Sequence, residues 1–113
     1  PGLAAHPQQA LAARLFEGRG YGGIVSFELR GGGREQVFAF MDALRLVIPA
    51  TTLGDVFSLA LYPAQSSHRV IPVEVRNALG ITDGLVRLSL GIEDPEDIIA
   101  DLAQALAKAS HAG

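Results

Sequence analysis

The sequence contains no cysteine and no tryptophan, and Lys108 is its single lysine beside eight arginines. Without cysteine the chain has no disulfide framework, no thiolate nucleophile and no zinc–thiolate site. The net charge is −3 and the basic residues do not cluster, which argues against binding to nucleic acid or to an anionic membrane surface. No apolar run approaches the length that spans a bilayer, and no signal peptide is visible at the start.

The composition is typical of one globular domain. A chain of 113 residues can bury a single core, and its apolar fraction of 49% fits a folded protein. We therefore treat residues 1–113 as one domain. We also expect a cytoplasmic location. Because the chain begins with Pro1 and not with methionine, we also expect it to be a piece of a longer protein.

Apolar residues recur at helical spacing in some segments and alternate in others. The resulting predictions are a helix from Pro7 to before Gly18, a strand over 22–30, a helix over 34–46, a brief strand over 46–48, a strand over 56–62, a short helix from Pro72 to Gly80, a strand over 85–90 and a last helix from Pro95. One-sided strands between helices favour an α+β fold with a small, largely antiparallel sheet and its helices packed on one face.

Arg87 is the charged residue in the apolar run from Leu85 to Leu90. Strand alternation predicts that Val86, Leu88 and Leu90 are buried together, so Arg87 must meet an anion or point at solvent. A guanidinium can grip a carboxylate with two parallel hydrogen bonds, which makes Arg87 a candidate carboxylate site. The alternative is an ordinary strand arginine in a salt bridge, and periodicity alone favours that alternative.

Five phrases, in order along nearly the whole chain, resemble the C-terminal domain of the pyridoxal-phosphate enzymes of cysteine and methionine metabolism. They are Pro1-Gly2-Leu3 with His6-Pro7, the segment 22–29, Thr52-Leu53-Gly54-Asp55, the segment 63–68 and the segment 84–94. This family includes cystathionine synthases and lyases, methionine γ-lyase and O-acetylhomoserine sulfhydrylase. The resemblance implies a pyridoxal-phosphate-dependent parent enzyme of the transsulfuration type, which carries out β- or γ-elimination or replacement on a sulfur amino acid. It also implies that the parent enzyme is a homotetramer.

The same resemblance implies roles for four residues. Arg87 matches the family's arginine for the substrate α-carboxylate, and Thr52 matches the serine whose backbone and side chain help to hold it. Thr51 matches the position beside the reacting side chain, where cystathionine enzymes commonly carry Glu and the methionine lyase an apolar residue. Ser67 matches the threonine that lines the substrate pocket, although local backbone hydrogen bonds explain its hydroxyl equally well and are favoured for Ser66.

A pyridoxal-phosphate enzyme needs a desolvated lysine amine to form the Schiff base. Lys108 lies at the tail of the last predicted helix, where its charge suits the helix C-terminus and its amine can reach water. The resemblance places the cofactor lysine in an upstream domain that this chain lacks. We therefore expect no catalytic and no cofactor-binding residue within residues 1–113, and no activity from the chain alone.

Two other kinds of site are not expected. The histidines have no second ligand three or four residues away, which argues against a metal site; they are His6, His68 and His111. The carboxylates between Glu93 and Asp97 suit the start of a helix, where the helix dipole favours negative charge, better than a catalytic cluster.

Two rival interpretations remain open. A small α+β domain could be a stand-alone amino-acid-binding or regulatory module. An excised domain could also self-associate through apolar surface that its parent normally covers.

Overall fold

The computed structural model describes residues 1–110. Within them lie the helices α1 (Gln9–Phe16), α2 (Arg34–Ala43), α3 (Val73–Ala78) and α4 (Pro95–Ala109), and the strands β1 (Ile24–Glu28), β2 (Ile48–Pro49), β3 (Leu59–Leu61) and β4 (Leu85–Ser89). A 3-10 turn covers Pro63–Gln65. Each helix and strand begins inside the range that the sequence predicts for it, and most are shorter than predicted.

The four strands form one sheet in the order β1-β4-β3-β2. The β1–β4 and β3–β4 pairs are antiparallel, but β2 and β3 are parallel. The sheet is therefore mixed, and this corrects the prediction of a largely antiparallel one. The prediction failed because alternation shows which face of a strand is buried but not the direction in which its neighbour runs.

Two long helices cover one face of this sheet. On that face Ala60, Val86 and Leu88 join one apolar core with side chains of α2 and α4. The fully buried Phe40 of α2 packs edge-on against Phe27 of β1, with ring centroids 5.9 Å apart. Burying one side chain of this size stabilises the fold by about 1.5–3 kcal/mol. The predicted packing of helices on a single face thus holds for α2 and α4.

The opposite face, here called the outer face, carries Arg87 and Ser89 of β4 with Leu59 and Leu61 of β3. Leu90, which the sequence predicts to be buried with Val86 and Leu88, is instead 37% exposed. The prediction is wrong there because β4 ends at Ser89, so the alternation that it assumes stops one residue earlier.

The β2–β3 loop, residues 50–58, crosses the outer face. Parallel neighbours need such a crossover. β3 lies between β2 and β4 in the sheet, yet Thr52 and Gly54 of the loop form hydrogen bonds with β4. The loop must therefore pass over β3, where Leu59 and Leu61 are buried.

α4 begins as its sequence predicts. The Asp94 carboxylate accepts a hydrogen bond from the backbone N–H of Glu96 at 2.8 Å, and Pro95 occupies the first helical position. Both are favoured helix-start features. None of the helices within residues 1–110 combines the length and the apolar character needed to cross a bilayer.

Candidate functional site

Arg87 lies at the centre of β4. Its register partners are Ser26 on β1 and Leu61 on β3, which places its side chain on the outer face. The half-buried guanidinium donates a hydrogen bond from Nη2 to the carbonyl oxygen of Thr52 at 3.3 Å. Its Nε is buried and has no hydrogen-bond partner among residues 1–110. An unpaired buried N–H costs free energy that a bound acceptor would recover, so Arg87 retains capacity for an anion.

The salt-bridge interpretation of Arg87 finds no partner in the described part of the chain. The ion pairs within residues 1–110 are Arg19–Glu17 and Arg76–Asp83, and neither involves Arg87. A half-buried guanidinium without a carboxylate partner is an electrostatically incomplete group. A ligand carboxylate is the chemical group that would complete it.

Two residues on the same face of β4, Arg87 and Ser89, form hydrogen bonds with the β2–β3 loop. Beside the Arg87–Thr52 contact, the backbone N–H of Gly54 donates to Ser89 Oγ at 2.9 Å. Gly54 has a φ of +75°, a left-handed conformation in which residues other than glycine are strained. The structure thus brings Thr52 and Arg87 together through a backbone carbonyl. Sequence analysis missed Ser89, although its position two residues after Arg87 on one strand face is a usable signal.

The far end of the β2–β3 loop is held by Glu93. Ser58 is fully buried; its N–H donates to Glu93 Oε1 at 2.7 Å and its hydroxyl donates to Oε2 at 2.8 Å. The Ser58 backbone N–H is the largest cause, and the Ser58 hydroxyl a further one, of the lowered pKa of Glu93. The helix-dipole interpretation of the carboxylates at 93–97 therefore does not account for the hydrogen bonds that Glu93 accepts from Ser58. Its partner is 35 residues away, and no local pattern links the two.

Thr51 lies in a different environment from Thr52. It lines a cavity of about 330 Å³ between α2, the end of β2 and the 3-10 turn, whose largest lining side chains are Phe38, Met41 and Tyr62. Arg87 and Thr52 do not line this cavity. Within this chain, therefore, the two neighbouring threonines face separate surroundings.

Ser67 follows the 3-10 turn and is exposed. Its Oγ lies 2.7 Å from Nδ1 of His68, a local contact, and no hydrogen bond within residues 1–110 joins it to Arg87. The Ser66 hydroxyl donates to the carbonyl oxygen of Tyr62, which is the local bond predicted for it. The structure of this chain thus brings Arg87 and Thr52 together and leaves Ser67 apart from them.

Arg76, which sequence analysis did not identify, fixes the turn that precedes Ser67. Its guanidinium is buried, donates from Nη1 to the carbonyl oxygen of Ala64 at 3.2 Å and forms an ion pair with Asp83. The Tyr62 hydroxyl donates to the Asp83 carbonyl oxygen at 2.8 Å. These bonds tie the 3-10 turn to the segment that enters β4.

Asp101 of α4 fixes the chain that leads into β2. Its buried carboxylate accepts hydrogen bonds from the backbone N–H groups of Arg45, Leu46 and Val47, the shortest at 2.8 Å, and from the Gln104 amide at 3.0 Å. Burial alone would raise the pKa of Asp101, but these donors outweigh it and the pKa is lowered.

The described residues do not fit pyridoxal phosphate by themselves. The lysine that such a cofactor requires is desolvated, whereas Lys108 is exposed in the last turn of α4. No group of three or more His, Cys, Asp or Glu side chains within residues 1–110 could hold a metal ion. His111, for which no metal role is expected, lies outside the described residues.

Comparison with known proteins identifies the family. The family model described as "Cys/Met metabolism PLP-dependent enzyme" matches residues 1–107. A cystathionine gamma-lyase from Bacillus subtilis is 48% identical over 106 residues, which are 94% of this chain and 27% of that protein. An L-methionine gamma-lyase from Pseudomonas putida is also 48% identical, over 94% of this chain and 26% of that protein.

A solved structure agrees with these sequence matches. The cystathionine gamma synthase from Xanthomonas oryzae pv. oryzae, in complex with aminoacrylate and cysteine, superposes with a TM-score of 0.86 at 48% identity. The match covers all of this chain and 28% of that one. The chain thus spans about a quarter of the length of the relatives it matches. It belongs to the family of pyridoxal-phosphate-dependent enzymes of cysteine and methionine metabolism.

Proposed function

We propose that this chain is the C-terminal, substrate-carboxylate-binding domain of a pyridoxal-phosphate-dependent enzyme that acts on a sulfur amino acid. One observation carries the proposal: Arg87 lies half-buried on the outer face with no carboxylate partner within residues 1–110 and with an unpaired Nε. Family membership supports the type of parent enzyme, because the relatives named above are lyases and synthases of sulfur amino acids.

Arg87 acts as the bidentate partner of the α-carboxylate, and the Thr52 carbonyl fixes the direction of its guanidinium. Holding the carboxylate at one place selects which bond to Cα is aligned for reaction, so the contribution of this domain is orientation. Thr51 and Ser67 line part of the pocket for the substrate side chain, and residues from the remainder of the parent enzyme complete that pocket.

Pyridoxal phosphate, when bound in the parent, supplies the electron sink for a carbanion at Cα. The lysine and the phosphate contacts that it needs come from an upstream domain, since the described residues offer no desolvated lysine. The parent carries out β- or γ-elimination or replacement, as a cytoplasmic homotetramer. The relatives divide among lyase, synthase and sulfhydrylase names, so the proposal is made at the level of this reaction class.

The test uses the full-length protein that contains this span, assayed with cystathionine, methionine and O-succinylhomoserine. Arg87→Ala should lower kcat/KM for the preferred amino acid by an amount that corresponds to about 2–5 kcal/mol, because a charge-assisted pair is lost. Cofactor absorbance should not change. Arg30→Ala, an exposed arginine in the turn after β1, is the matched control and should leave kcat/KM within about twofold.

Two outcomes would contradict the proposal. Unchanged kinetics in Arg87→Ala would remove Arg87 from the carboxylate site. A full-length protein that has no cofactor lysine upstream of this span, and in which the 113-residue chain alone binds amino acids, would favour the stand-alone binding module.

A further inference from the structure

Glu93 holds the end of the β2–β3 loop that lies farthest along the chain from Thr52. Its two carboxylate oxygens each accept a hydrogen bond from one residue, Ser58, through the backbone N–H and the hydroxyl. The Ser58 hydroxyl in turn accepts from the backbone N–H of Gly91 at 2.9 Å. The Ser58 hydroxyl therefore both donates and accepts a hydrogen bond, and the residue is fully buried.

The loop and the segment after β4 are in direct contact around these bonds. The N–H of Ile92 donates to the carbonyl oxygen of Val56 at 3.0 Å. A Cβ at Gly91 would lie 2.3 Å from that same oxygen and 2.6 Å from a carboxylate oxygen of Glu93. The backbone approach that lets Glu93 reach Ser58 thus requires glycine at position 91.

The loop between Ser58 and Thr52 has few other supports within residues 1–110. Its hydrogen bonds to the sheet and to the segment after the sheet are those of Thr52, Gly54, Val56 and Ser58. Three apolar side chains of this stretch lie outside the apolar core and are each more than half exposed; they are Leu53, Val56 and Phe57. Hydrogen bonds to β4 and to the segment after it therefore make a large contribution to the position of the loop.

We propose that Glu93 is a positioning residue for the substrate-carboxylate site, acting through Ser58 and the β2–β3 loop on the Thr52 carbonyl that directs Arg87. Glu93 does not touch the substrate. This inference rests on the proposed function of Arg87. It adds Glu93 as the residue that fixes the β2–β3 loop at Ser58. Loss of the Glu93–Ser58 bonds frees the loop and lets the guanidinium turn away from its binding direction.

The test compares Glu93→Gln with Glu96→Gln in the full-length protein. Both changes neutralise one carboxylate at the start of α4, but Glu96 is exposed and its side chain makes no hydrogen bond or ion pair within residues 1–110. Glu93→Gln should raise KM for the amino acid about tenfold while kcat stays within about threefold, because the carboxylate is bound more weakly while Arg87 and the reacting groups are intact. Glu96→Gln should change neither.

Hydrogen exchange supplies a readout that does not depend on activity. In Glu93→Gln the backbone N–H of Gly54 should exchange at least tenfold faster than in the unchanged protein, although Gly54 does not contact Glu93. Ser58→Ala, which keeps the backbone N–H and removes the hydroxyl, should show a smaller effect of the same kind. The double variant should show less than the sum of the two single effects, because both act through one contact.

The outcomes separate this inference from the proposed function. An unchanged KM in Glu93→Gln, or faster exchange limited to Ser58 and Gly91, would overturn the positioning role even where Arg87→Ala lowers kcat/KM as expected. A lowered stability to urea with unchanged KM would show a merely structural role and would also overturn it. If Arg87→Ala itself has no kinetic effect, the proposed carboxylate site fails.

Discussion

The hydroxyl of Ser89 and the backbone N–H of Gly54, 35 residues apart in the chain, are joined by a hydrogen bond of 2.9 Å on the outer face of the sheet. Ser89 is only 4% exposed, so its oxygen has little access to water as an alternative partner. This bond ties the loop that carries Thr52 to the strand that carries Arg87.

Ser89→Ala should destabilise the fold by about 1–3 kcal/mol, because it leaves the N–H of Gly54 without its acceptor. Urea unfolding of the 113-residue chain measures the loss, and faster exchange of the Gly54 N–H locates it. Ser26→Ala makes the same change at an exposed position on the same face of the sheet and should cost less than about 0.5 kcal/mol. Equal losses in the two variants would show that the Ser89 bond contributes nothing.

Gly91→Ala should be strongly destabilising. The new Cβ would lie 2.3 Å from the Val56 carbonyl oxygen and 2.5 Å from the carbonyl carbon of Phe57, both backbone atoms that cannot turn aside. We expect a loss of about 1–3 kcal/mol, measured as a lower urea midpoint. At Gly23 the nearest atom to a new Cβ is 3.7 Å away, so Gly23→Ala is the matched control and should be close to neutral. A near-neutral Gly91→Ala would mean that the β2–β3 loop can move away.

Asp101→Asn should destabilise the chain by about 1–3 kcal/mol at pH 7, because a carboxylate that accepts three backbone N–H bonds is replaced by a neutral amide. Asp97→Asn, in the exposed first turn of the same helix, is the control.

The pH dependence of this difference has a definite sign. Since the folded pKa of Asp101 lies below its ordinary value of 3.8, its contribution is complete above that value and is lost as the pH falls through the folded pKa. The stability gap between the unchanged chain and Asp101→Asn should therefore be constant from about pH 5 to pH 7 and should narrow below about pH 4. A gap that widens in acid would contradict the lowered pKa.

The 113-residue chain mixed with pyridoxal phosphate should show no stoichiometric aldimine absorbance. Its single lysine, Lys108, is exposed and lies in the last turn of α4, where nothing desolvates the amine. Lys108→Arg should leave the absorbance spectrum unchanged. A stoichiometric aldimine band that disappears in Lys108→Arg would show that this chain holds the cofactor itself.

The elements could be predicted because their signals are local. The 3.6-residue spacing of α4 predicts that helix, and Asp94 and Pro95 predict its observed first residue, Pro95. The alternation around Arg87 correctly marks Val86 and Leu88 as buried. Strand direction is different: that β2 runs parallel to β3 follows from a loop path that no local pattern encodes.

Part of the candidate site could be predicted in the same way. Arg87 stands out as a charge within an apolar strand, and Thr52 follows from the family resemblance. Glu93 and Ser89 could not be paired with the β2–β3 loop, because their partners lie 35 residues away and the pairing depends on how the loop folds back over the sheet.

The amino-acid sequence by itself determined the positions of the helices and strands, the absence of any cysteine chemistry and the family, since each of these depends on residue types and short spacings. Only the tertiary structure decided that the sheet is mixed, that Arg87 has no carboxylate partner within residues 1–110 and that Glu93 holds Ser58. The physical reason is that hydrogen bonds and ion pairs between distant residues depend on the path of the backbone in space, which local periodicity does not contain.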